Sequence, residues 1–268
     1  MIDSTSPKAR QRQVSVSVEQ WVYGPHAVRA LLTRGHRRTL RICVQQERSD
    51  RRILELIQMA EQVNINIEKL STSIMDQRFT AGTHHGIVAL AEPLPDYTER
   101  DLEKILNKTS SALLILILDG VTDPHNLGAC LRSADASGVD FVVIPKDKNA
   151  GITSVVSQVS CGASESVPVV RVTNLARTML QLKQAGVWIY GAAGEADSNL
   201  YDLDASTNIA LVMGSEGDGL RRLTKEHCDG LFSIPMLGSV SSLNVSVATG
   251  ISLYEVVRQR SIKLPSVV

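Results

Sequence analysis

The sequence predicts an α/β protein in which a small α/β domain precedes a parallel sheet flanked by helices. Aromatic side chains make up only 4% of the 268 residues, so the core must be aliphatic, as is typical of sheets covered by helices on both faces. From residue 112 onward, short continuous apolar runs alternate with amphipathic stretches, as buried strands and helices do. The prolines of Glu92–Asp96 interrupt regular structure and place a boundary between the two parts.

This boundary divides the chain into four segments. We expect a flexible tail over residues 1–18, a first domain over 19–92, a linker over 93–110 and a second domain over 111–268. The first domain is predicted to contain two helices and three strands. Helical periodicity covers Pro25–Thr33 and Ile53–Val63, and apolar runs predict strands at Leu40–Val44, Ile65–Ile67 and Ile87–Ala91.

The second domain alternates strands and helices. Six apolar runs predict its strands: Ala112–Leu118, Phe141–Ile144, Val167–Val172, Val187–Tyr190, Ile209–Met213 and Leu231–Ile234. The stretches between them predict helices at Leu127–Ala136, Ile152–Cys161, Leu175–Ala185, Leu220–Cys228 and Leu243–Arg260. Ligands bind at the carboxyl ends of parallel strands, so the loops after Leu118, Met213 and Ile234 should carry the chemistry.

Composition excludes several classes of protein. The longest apolar run, Ala112–Leu118, has seven residues, whereas a membrane-spanning helix needs about 20. The first 20 residues have basic side chains but no apolar stretch after them, so we expect no secretory signal and a cytoplasmic location. The four cysteines form no CxxC pair and have no histidine at zinc-ligand spacing, which predicts buried reduced thiols and no metal site.

The first of the three loops, Asp119–Asn126, leads into a predicted helix. Asn126 is expected to cap this helix, because its side chain can accept from the free amides of the first turn. Arg132 follows about a turn and a half later, and we expect its guanidinium to project into the cleft at the sheet edge. Each residue alone could equally be structural, as a helix cap and a surface ion-pair residue.

The second loop places Glu216 among the three glycines of Gly214–Gly219. Glycine lets backbone amides approach a ligand that a Cβ would block, and the carboxylate could bind a ribose hydroxyl or orient a cation. The order of the glycines does not match GxGxxG, and no GxxxxGK[ST] occurs, so a plain NAD or ATP enzyme is excluded. The alternative is a solvated glutamate in a glycine-rich turn.

The third loop, Pro235–Ser242, is rich in serine and leads to a helix with Asn244 and Ser246 in its first turns. Such a segment caps the free amides and also forms an anion site for a carboxylate or phosphate. Capping alone would explain the serines.

A basic cluster lies in the first domain. Seven arginines fall within 19 residues: Arg34, Arg37, Arg38, Arg41, Arg48, Arg51 and Arg52. Only Glu47 and Asp50 lie among them, so the local excess could neutralise several phosphates of a nucleic acid. A solvated helix face is the alternative.

In this order, the three loops resemble the motifs of the SpoU (TrmH) family of RNA ribose 2′-O-methyltransferases, in the SPOUT superfamily. The resembling segments are Asp119–Ala134, Leu211–Leu220 and Ile234–Glu255. Asp123–Ile189 and Arg221–Gly230 are more similar to one branch, the 23S rRNA guanosine-2′-O-methyltransferases.

The front domain resembles the ribosomal-protein-like RNA-binding domain of the same branch, through Tyr23–Val28 and His84–Ala89. The resemblance implies a C-terminal trefoil knot, S-adenosylmethionine as the methyl donor, a homodimer and 23S rRNA as the partner. It also implies 2′-O-methylation of a guanosine ribose in the peptidyl-transferase region during ribosome maturation.

The resemblance implies roles for individual residues as well. The catalytic group around the reacting ribose would be Asn126, Arg132, Glu216, Ser242 and Asn244. The cofactor would contact Gly194, Gly214, Ile234, Met236 and Leu243. The RNA would contact Arg34, Arg37, Arg38, Arg41 and His85. No metal is expected.

One mechanistic question and two alternative functions stay open at this point. A ribose 2′-OH is nearly neutral at pH 7, so a group must take or share its proton, and the family's proposed base corresponds to Arg132. A free guanidinium has a pKa above about 12, so the arginine is either a true base or an electrostatic anchor. The alternative functions are a tRNA ribose 2′-O-methyltransferase of the same family and a non-catalytic rRNA-binding assembly protein.

Overall fold

The computed structural model describes residues 19–34, 36–46, 48, 50–107 and 112–263 of the chain. The tail predicted over residues 1–18 lies outside the described residues. The described residues form two sheets, of four and seven strands, each covered by helices. The second sheet is parallel throughout and flanked by helices, as predicted.

The first sheet has its strands in the order β1-β4-β2-β3. They are β1 (Gln20–Tyr23), β2 (Thr39–Gln45), β3 (Asn66–Leu70) and β4 (Ile87–Ala91). Its helices are α1 (Pro25–Arg34), α2 (Arg51–Gln62) and α3 (Thr72–Arg78). Strand β4 is buried along its whole length because it is central, whereas β1 and α3, which the sequence analysis did not predict, are short and lie at the periphery.

The second sheet has the order β11-β9-β10-β6-β7-β8-β5. Its strands are β5 (Tyr97–Thr98), β6 (Leu114–Asp119), β7 (Phe141–Pro145), β8 (Val169–Val172), β9 (Trp188–Ala192), β10 (Ile209–Gly214) and β11 (Gly230–Phe232). Strands β6 and β10 pair at its centre, and their side chains are buried on both faces in two aliphatic clusters. This is why both sequences are apolar without alternation.

The helices around this sheet follow the strands in turn. They are α4 (Leu102–Leu106), α5 (Pro124–Ala136), α6 (Ser154–Val159), α7 (Ala163–Ser166), α8 (Leu175–Gln184), α9 (Arg222–His227) and α10 (Val245–Lys263), with a 3-10 turn at Leu200–Asp202. Helix α10 packs against α5, which brings the end of the chain back to the first loop.

The linker predicted over residues 93–110 is wrong in its C-terminal part. Strand β5 pairs with β8 at the edge of the second sheet, and Leu102 of α4 is buried in the core on one face of that sheet. Both elements are too short for the apolar pattern to reveal them. Within the described residues, the connecting segment is therefore 92–96, where the two prolines lie.

The predicted cap of helix α5 is also wrong. The helix begins at Pro124, one turn before the expected start, and the side chain of Asp123 accepts from the amide of His125 at 3.0 Å. Asn126 lies inside the first turn and is 9% exposed, so its amide is free to bind elsewhere. Proline at the first helical position after an aspartate is a signal that the sequence contains.

Among the described residues, no helix combines the length and the apolar character needed to cross a membrane.

Candidate functional site

A cavity of about 660 Å³ opens at the carboxyl ends of β9 and β10. Its walls come from Lys225 and from four segments: residues 192–195, the loop 213–220, residues 232–236 and residues 241–248. Ligand pockets in proteins measure about 300–1,000 Å³, so this volume suits a small organic molecule. The second and third loops predicted to carry chemistry both line it.

Gly214 ends β10 and lets the loop after it turn back over the strand. A Cβ at this position would lie 2.2 Å from the carbonyl carbon of Gly219, so no other residue fits without moving the loop. Ser215 and Gly219 exchange two backbone hydrogen bonds of 3.1 Å, and Gly219 has a positive φ of 66°. The loop is therefore a closed turn that exposes backbone at the cavity wall.

The five residues predicted to contact the cofactor surround this one cavity, although they come from three separate parts of the chain. They are Gly194, Gly214, Ile234, Met236 and Leu243. Their role toward a ligand stays a prediction.

A polar cluster joins all three predicted loops. The side-chain amide of Asn244 donates to Asn126 Oδ1 at 3.0 Å and to Glu216 Oε1 at 2.6 Å. Its own oxygen accepts from the backbone amide and the hydroxyl of Ser246, at 2.9 and 2.6 Å. Asn244 thus caps α10 and fixes the Glu216 carboxylate and the Asn126 amide relative to each other.

Asn244 reaches Asn126 across 118 residues of sequence, and Glu216 across 28. The second carboxylate oxygen of Glu216, a residue of the cavity wall, has no hydrogen bond to Asn244 and remains an acceptor. Ser242, the remaining predicted residue of the third loop, is exposed and lines the cavity.

Arg132 does not line the cavity of its own chain, contrary to the expectation from sequence. It lies six residues after Asn126 on α5, which at about 100° per residue places the two side chains on different faces of the helix. Arg132 is exposed, and within the described part of the chain its guanidinium has no hydrogen bond or ion pair.

Two further pairs at the site were missed by the sequence analysis. Lys225 of α9 forms an ion pair with Glu195 across the cavity, and this bond lowers the pKa of the glutamate. Arg221 binds the fully buried carboxylate of Asp119 at the end of β6, with 2.6 Å between its Nε and Oδ1. The partners are 30 positions apart in the first pair and 102 in the second, so no local sequence pattern reveals either pair.

The charges that line the cavity favour a cationic ligand. Of the described residues around it, three carry carboxylates, Glu195, Glu216 and Asp218, and one carries an ammonium group, Lys225. The remainder of the wall is backbone, hydroxyl and apolar surface.

The arginine cluster of the first domain does not form one basic face. Arg37 was expected to bind RNA, but its guanidinium is buried and forms a two-pronged ion pair with Glu165 of the second domain, which corrects that expectation. Arg34 and Arg41 are partly exposed, at 3.8 Å from Asp135 and 3.2 Å from Glu68.

Arg38 and His85 are exposed, and His85 adopts a positive φ of 44° at the tip of its loop. Its neighbour His84 fixes that loop, accepting from the amide of Gly86 at 3.0 Å and contacting Asp76 at 2.9 Å. The RNA-binding role of Arg34, Arg38, Arg41 and His85 stays a prediction.

The described residues contain no group of three or more His, Cys, Asp or Glu side chains able to hold a metal ion. The four cysteines are free, and Cys43 and Cys130 are buried. Burial raises the pKa of both thiols to about 11 and that of Cys228 to about 12, so these three remain protonated at neutral pH.

Comparison with known proteins places both parts of the chain. Residues 113–254 match the SpoU rRNA Methylase family, and residues 21–97 match the family described as RNA 2′-O ribose methyltransferase substrate binding. The chain is 52% identical over 244 residues to the Escherichia coli K12 23S rRNA (guanosine-2′-O-)-methyltransferase RlmB, covering 91% of this chain and all of that protein. The Vibrio vulnificus protein of the same name is 52% identical over 241 residues, covering 90% and 97%.

Solved structures agree with this placement. The SpoU methyltransferase AviRb from Streptomyces viridochromogenes, in complex with the cofactor AdoMet, is 26% identical with a TM-score of 0.76 and covers 95% of each chain. The Aquifex aeolicus TrmH/SpoU tRNA modifying enzyme is 34% identical with a TM-score of 0.53, but it covers only 62% of this chain and 83% of its own. The polar cluster, the glycine turn and these matches lead to one conclusion: the chain belongs to the SpoU rRNA methylase family.

Proposed function

We propose that this protein transfers a methyl group from S-adenosylmethionine to the ribose 2′-OH of a guanosine in 23S rRNA, in the peptidyl-transferase region, during ribosome maturation in the cytoplasm. The observation that carries the proposal is the cluster in which Asn244 binds both Asn126 and Glu216 beside the cavity. The match to 23S rRNA (guanosine-2′-O-)-methyltransferases over 97–100% of their length supports the choice of substrate.

The cavity fits S-adenosylmethionine. The donor is a cation at its sulfur and carries an amino group, and the wall has an excess of two carboxylates over ammonium groups. Gly214 lets the loop close into a turn that exposes backbone at the cavity wall, and Ile234 and Leu243 offer apolar surface to a base. When bound, the cofactor supplies a methyl group activated by the positive charge of the sulfonium.

The chain's own residues would hold the acceptor ribose. Glu216, fixed by Asn244, accepts a hydrogen bond from a sugar hydroxyl with its free oxygen, and Asn126 and Ser242 offer further polar contacts. Fixing two reactants in line can lower a barrier by about 7–11 kcal/mol, so orientation accounts for much of the rate. The 2′-OH must also lose its proton, and a group that approaches from outside this cluster assists this loss, either as a base or through its positive charge.

We propose that the group that approaches the 2′-OH is Arg132 of the second subunit of a homodimer. It is exposed, it lies on a different face of α5 from Asn126, and α5 packs beside α10. Val247 and Tyr254, seven residues apart on α10, leave apolar side chains about half exposed on one helix face. A two-fold contact over this face would bring Arg132 of each chain to the other chain's cavity.

We also propose the trefoil knot. The segment after β11 returns to place Asn244 between the loops that follow β6 and β10, and α10 then packs against α5. A trefoil knot requires such a return path, because the C-terminal segment must pass through the loop that follows β10.

The front domain would hold the RNA, through exposed side chains such as Arg38 and His85 and the partly exposed Arg34 and Arg41. Structured RNA is bound mainly through phosphates and 2′-OH groups, so affinity should fall steeply with salt.

Methylation of 23S rRNA that lacks the mark tests the function directly. We expect labelled methyl groups to enter 23S rRNA at one guanosine, with tRNA not labelled. Labelling of tRNA instead would favour the tRNA enzyme, and cofactor uptake without any labelling would favour the non-catalytic assembly protein. Full activity in excess chelator is expected, and a loss that zinc or magnesium restores would contradict the metal-free scheme.

Mixed dimers test the role of Arg132. R132A and E216A homodimers should each be inactive, with the affinity of R132A for S-adenosylmethionine unchanged. Co-expressed, they should recover about a quarter of the wild-type activity, because half of the dimers have one cavity with an intact Glu216 and an intact Arg132 from the other chain. No recovery would place Arg132 in the site of its own chain, and full activity of R132A alone would remove its role.

A further inference from the structure

The two domains are in direct contact, and the contact is close. Helix α1 of the front domain packs against α7, and strand β1 packs against α6. Gly162, just before α7, has a φ of +90°, and a Cβ there would lie 2.8 Å from Ala30 Cβ and 2.9 Å from Ala27 Cα. The backbone of the second domain therefore touches α1 at a point where only glycine fits.

A buried ion pair lies inside this contact. Arg37 donates through Nε and Nη2 to the two oxygens of Glu165, at 2.8 and 2.6 Å. The side chains of Arg37 and Glu165 are 4% and 1% exposed. Arg37 Nη1 donates further, to Gln20 at 2.9 Å and to the backbone oxygen of Glu92 at 2.7 Å. Four of the five guanidinium donors are thus used within the protein.

A buried ion pair of this kind fixes the relative orientation of its two partners more than it adds to the stability of the protein. Removing two charges from water offsets much of their attraction, so an apolar pair of similar size is often as stable. The planar fork of arginine, however, forms two parallel bonds to a carboxylate only when the two planar groups are aligned, as they are here through Nε and Nη2. Arg37 and Glu165 are 128 residues apart and on different domains, so this arrangement fixes the two domains relative to each other.

The docked elements are continuous with the site. Helix α7 and helix α6 both pack against α5, which carries Asn126. A Cβ on Gly128, two residues after Asn126, would lie 2.7 Å from Val159 of α6. Gln158 of α6 contacts the backbone of Thr83, in the loop that displays His85, through two bonds of 3.4 Å. The front domain therefore rests on the back of the helix that supplies part of the polar cluster.

We propose that Arg37 is a positioning residue, which through its buried pair with Glu165 holds the RNA-binding surface of the front domain at a fixed distance from the cavity. The pair selects the nucleotide that reaches the site, because a docked front domain measures a set distance along the RNA. This inference rests on the proposed function, in which the front domain binds the rRNA.

The chain provides a matched control. Arg34 and Asp135 also form an ion pair between the two domains, from α1 to α5, but at 3.8 Å and with side chains 56% and 35% exposed. Exposed pairs of this kind contribute little, so D135A removes this interdomain charge pair without freeing the domains, and it leaves Arg34 in place to contact RNA.

The experiment compares R37M, the double variant R37M/E165L and the control D135A in the full-length protein. It measures thermal stability, the affinity for S-adenosylmethionine by calorimetry, the radius of gyration by X-ray scattering, and kcat and KM for 23S rRNA. For R37M we expect a larger radius of gyration and a KM for rRNA raised about tenfold, with kcat and cofactor affinity changed by less than about threefold. D135A should match the wild type within about twofold in each quantity.

The double variant separates positioning from stability. It leaves no unpaired charge in the interface, so its thermal stability should return toward that of the wild type, while the raised KM and additional methylation at neighbouring nucleotides should persist. If KM and the single methylation site return together with stability, or if R37M equals D135A, the positioning role is refuted. If R37M does not fold, the double variant carries the same comparison. A wild-type chain that methylates no rRNA would refute the proposed function instead, and the radius of gyration would still report on the docking.

Discussion

Folding has opposite effects on two groups of predicted residues: it brings together those of the cavity in the second domain and separates those of the basic cluster in the first domain. The ten residues predicted for catalysis and cofactor binding are scattered over more than 100 positions, yet nine of them, all but Arg132, meet in or beside one cavity. The arginines of the first domain are neighbours in sequence, yet they separate into one buried ion pair and several exposed or partly paired side chains.

The difference shows what each kind of pattern contains. Loops that follow parallel strands meet at one sheet edge whatever their separation, so their order along the chain predicts proximity. A run of like charges predicts only a local density of charge, because successive residues point in different directions and any one of them can be used for packing. Arg37 and Arg38 are adjacent, and only one is exposed.

Of the substitutions that test this difference between the cavity and the basic cluster, the one at Gly214 in the cavity wall should have the largest effect. G214A places a methyl group 2.2 Å from the backbone of Gly219, so the turn must open and the cavity must change shape. We expect the affinity for S-adenosylmethionine to fall by more than about 100-fold, equivalent to about 3 kcal/mol. Calorimetry measures it, with G151A as the control, because Gly151 has open space around it and no positive φ. Unchanged uptake would mean that this turn does not touch the cofactor.

A smaller loss is expected when the hydrogen bonds of Asn244 are removed. N244A frees Glu216 and Asn126 and uncaps α10, so kcat should fall by about 100-fold and unfolding free energy by about 1 kcal/mol. Rate assays and thermal unfolding measure the two effects. N244D keeps the cap but replaces the amide donor beside Glu216 with a carboxylate, and it should restore stability alone; restored activity would show that the donor is dispensable.

The next largest effects are expected from separate alanine substitutions of Asp123 and Asn126. D123A removes the cap of α5 and should lower the free energy of unfolding by about 1 kcal/mol with turnover unchanged. N126A should do the reverse, with lower turnover and little change in stability, because its amide binds Asn244 and not the helix amides. Parallel unfolding and rate measurements on the two variants decide whether cap and site are indeed separate side chains.

The smallest effect is expected in the basic cluster. R38A should weaken rRNA binding a few-fold and lower the slope of log affinity against log salt by about one, since one phosphate contact is lost. R177A, an exposed arginine on α8 of the second domain, is the control and should leave the slope unchanged. Equal slopes for both variants would identify Arg38 as part of a solvated surface.

Much of the fold could be predicted because burial leaves a direct trace in the sequence. Strand β4 was predicted with its observed bounds, and the six apolar runs of the second domain all became strands. Strand β5 has two residues and so no period to detect, and it was assigned to a linker. The cap of α5 was placed on Asn126 although Asp123 and Pro124 give the stronger signal.

The site was predictable as a set of residues but not as a set of bonds. Glu216 and Asn244 were identified from the loops that carry them, whereas the ion pairs of Lys225 with Glu195 and of Arg37 with Glu165 were not. These pairs depend on how helices and domains pack, and nothing within a few residues of either partner distinguishes it from a solvated charge.

Helix α10 has a consequence for synthesis of the protein. Arg260 on this helix donates to the backbone oxygens of Ala112 and Leu113 at 2.8 Å, and Asn244 at its start orders residues that were made more than 100 positions earlier. A nascent chain that still holds this helix inside the exit tunnel has neither bond. The assembled site therefore arises only after this helix has left the tunnel, so a nascent chain at an earlier stage has no methylating capacity toward the ribosome that is making it.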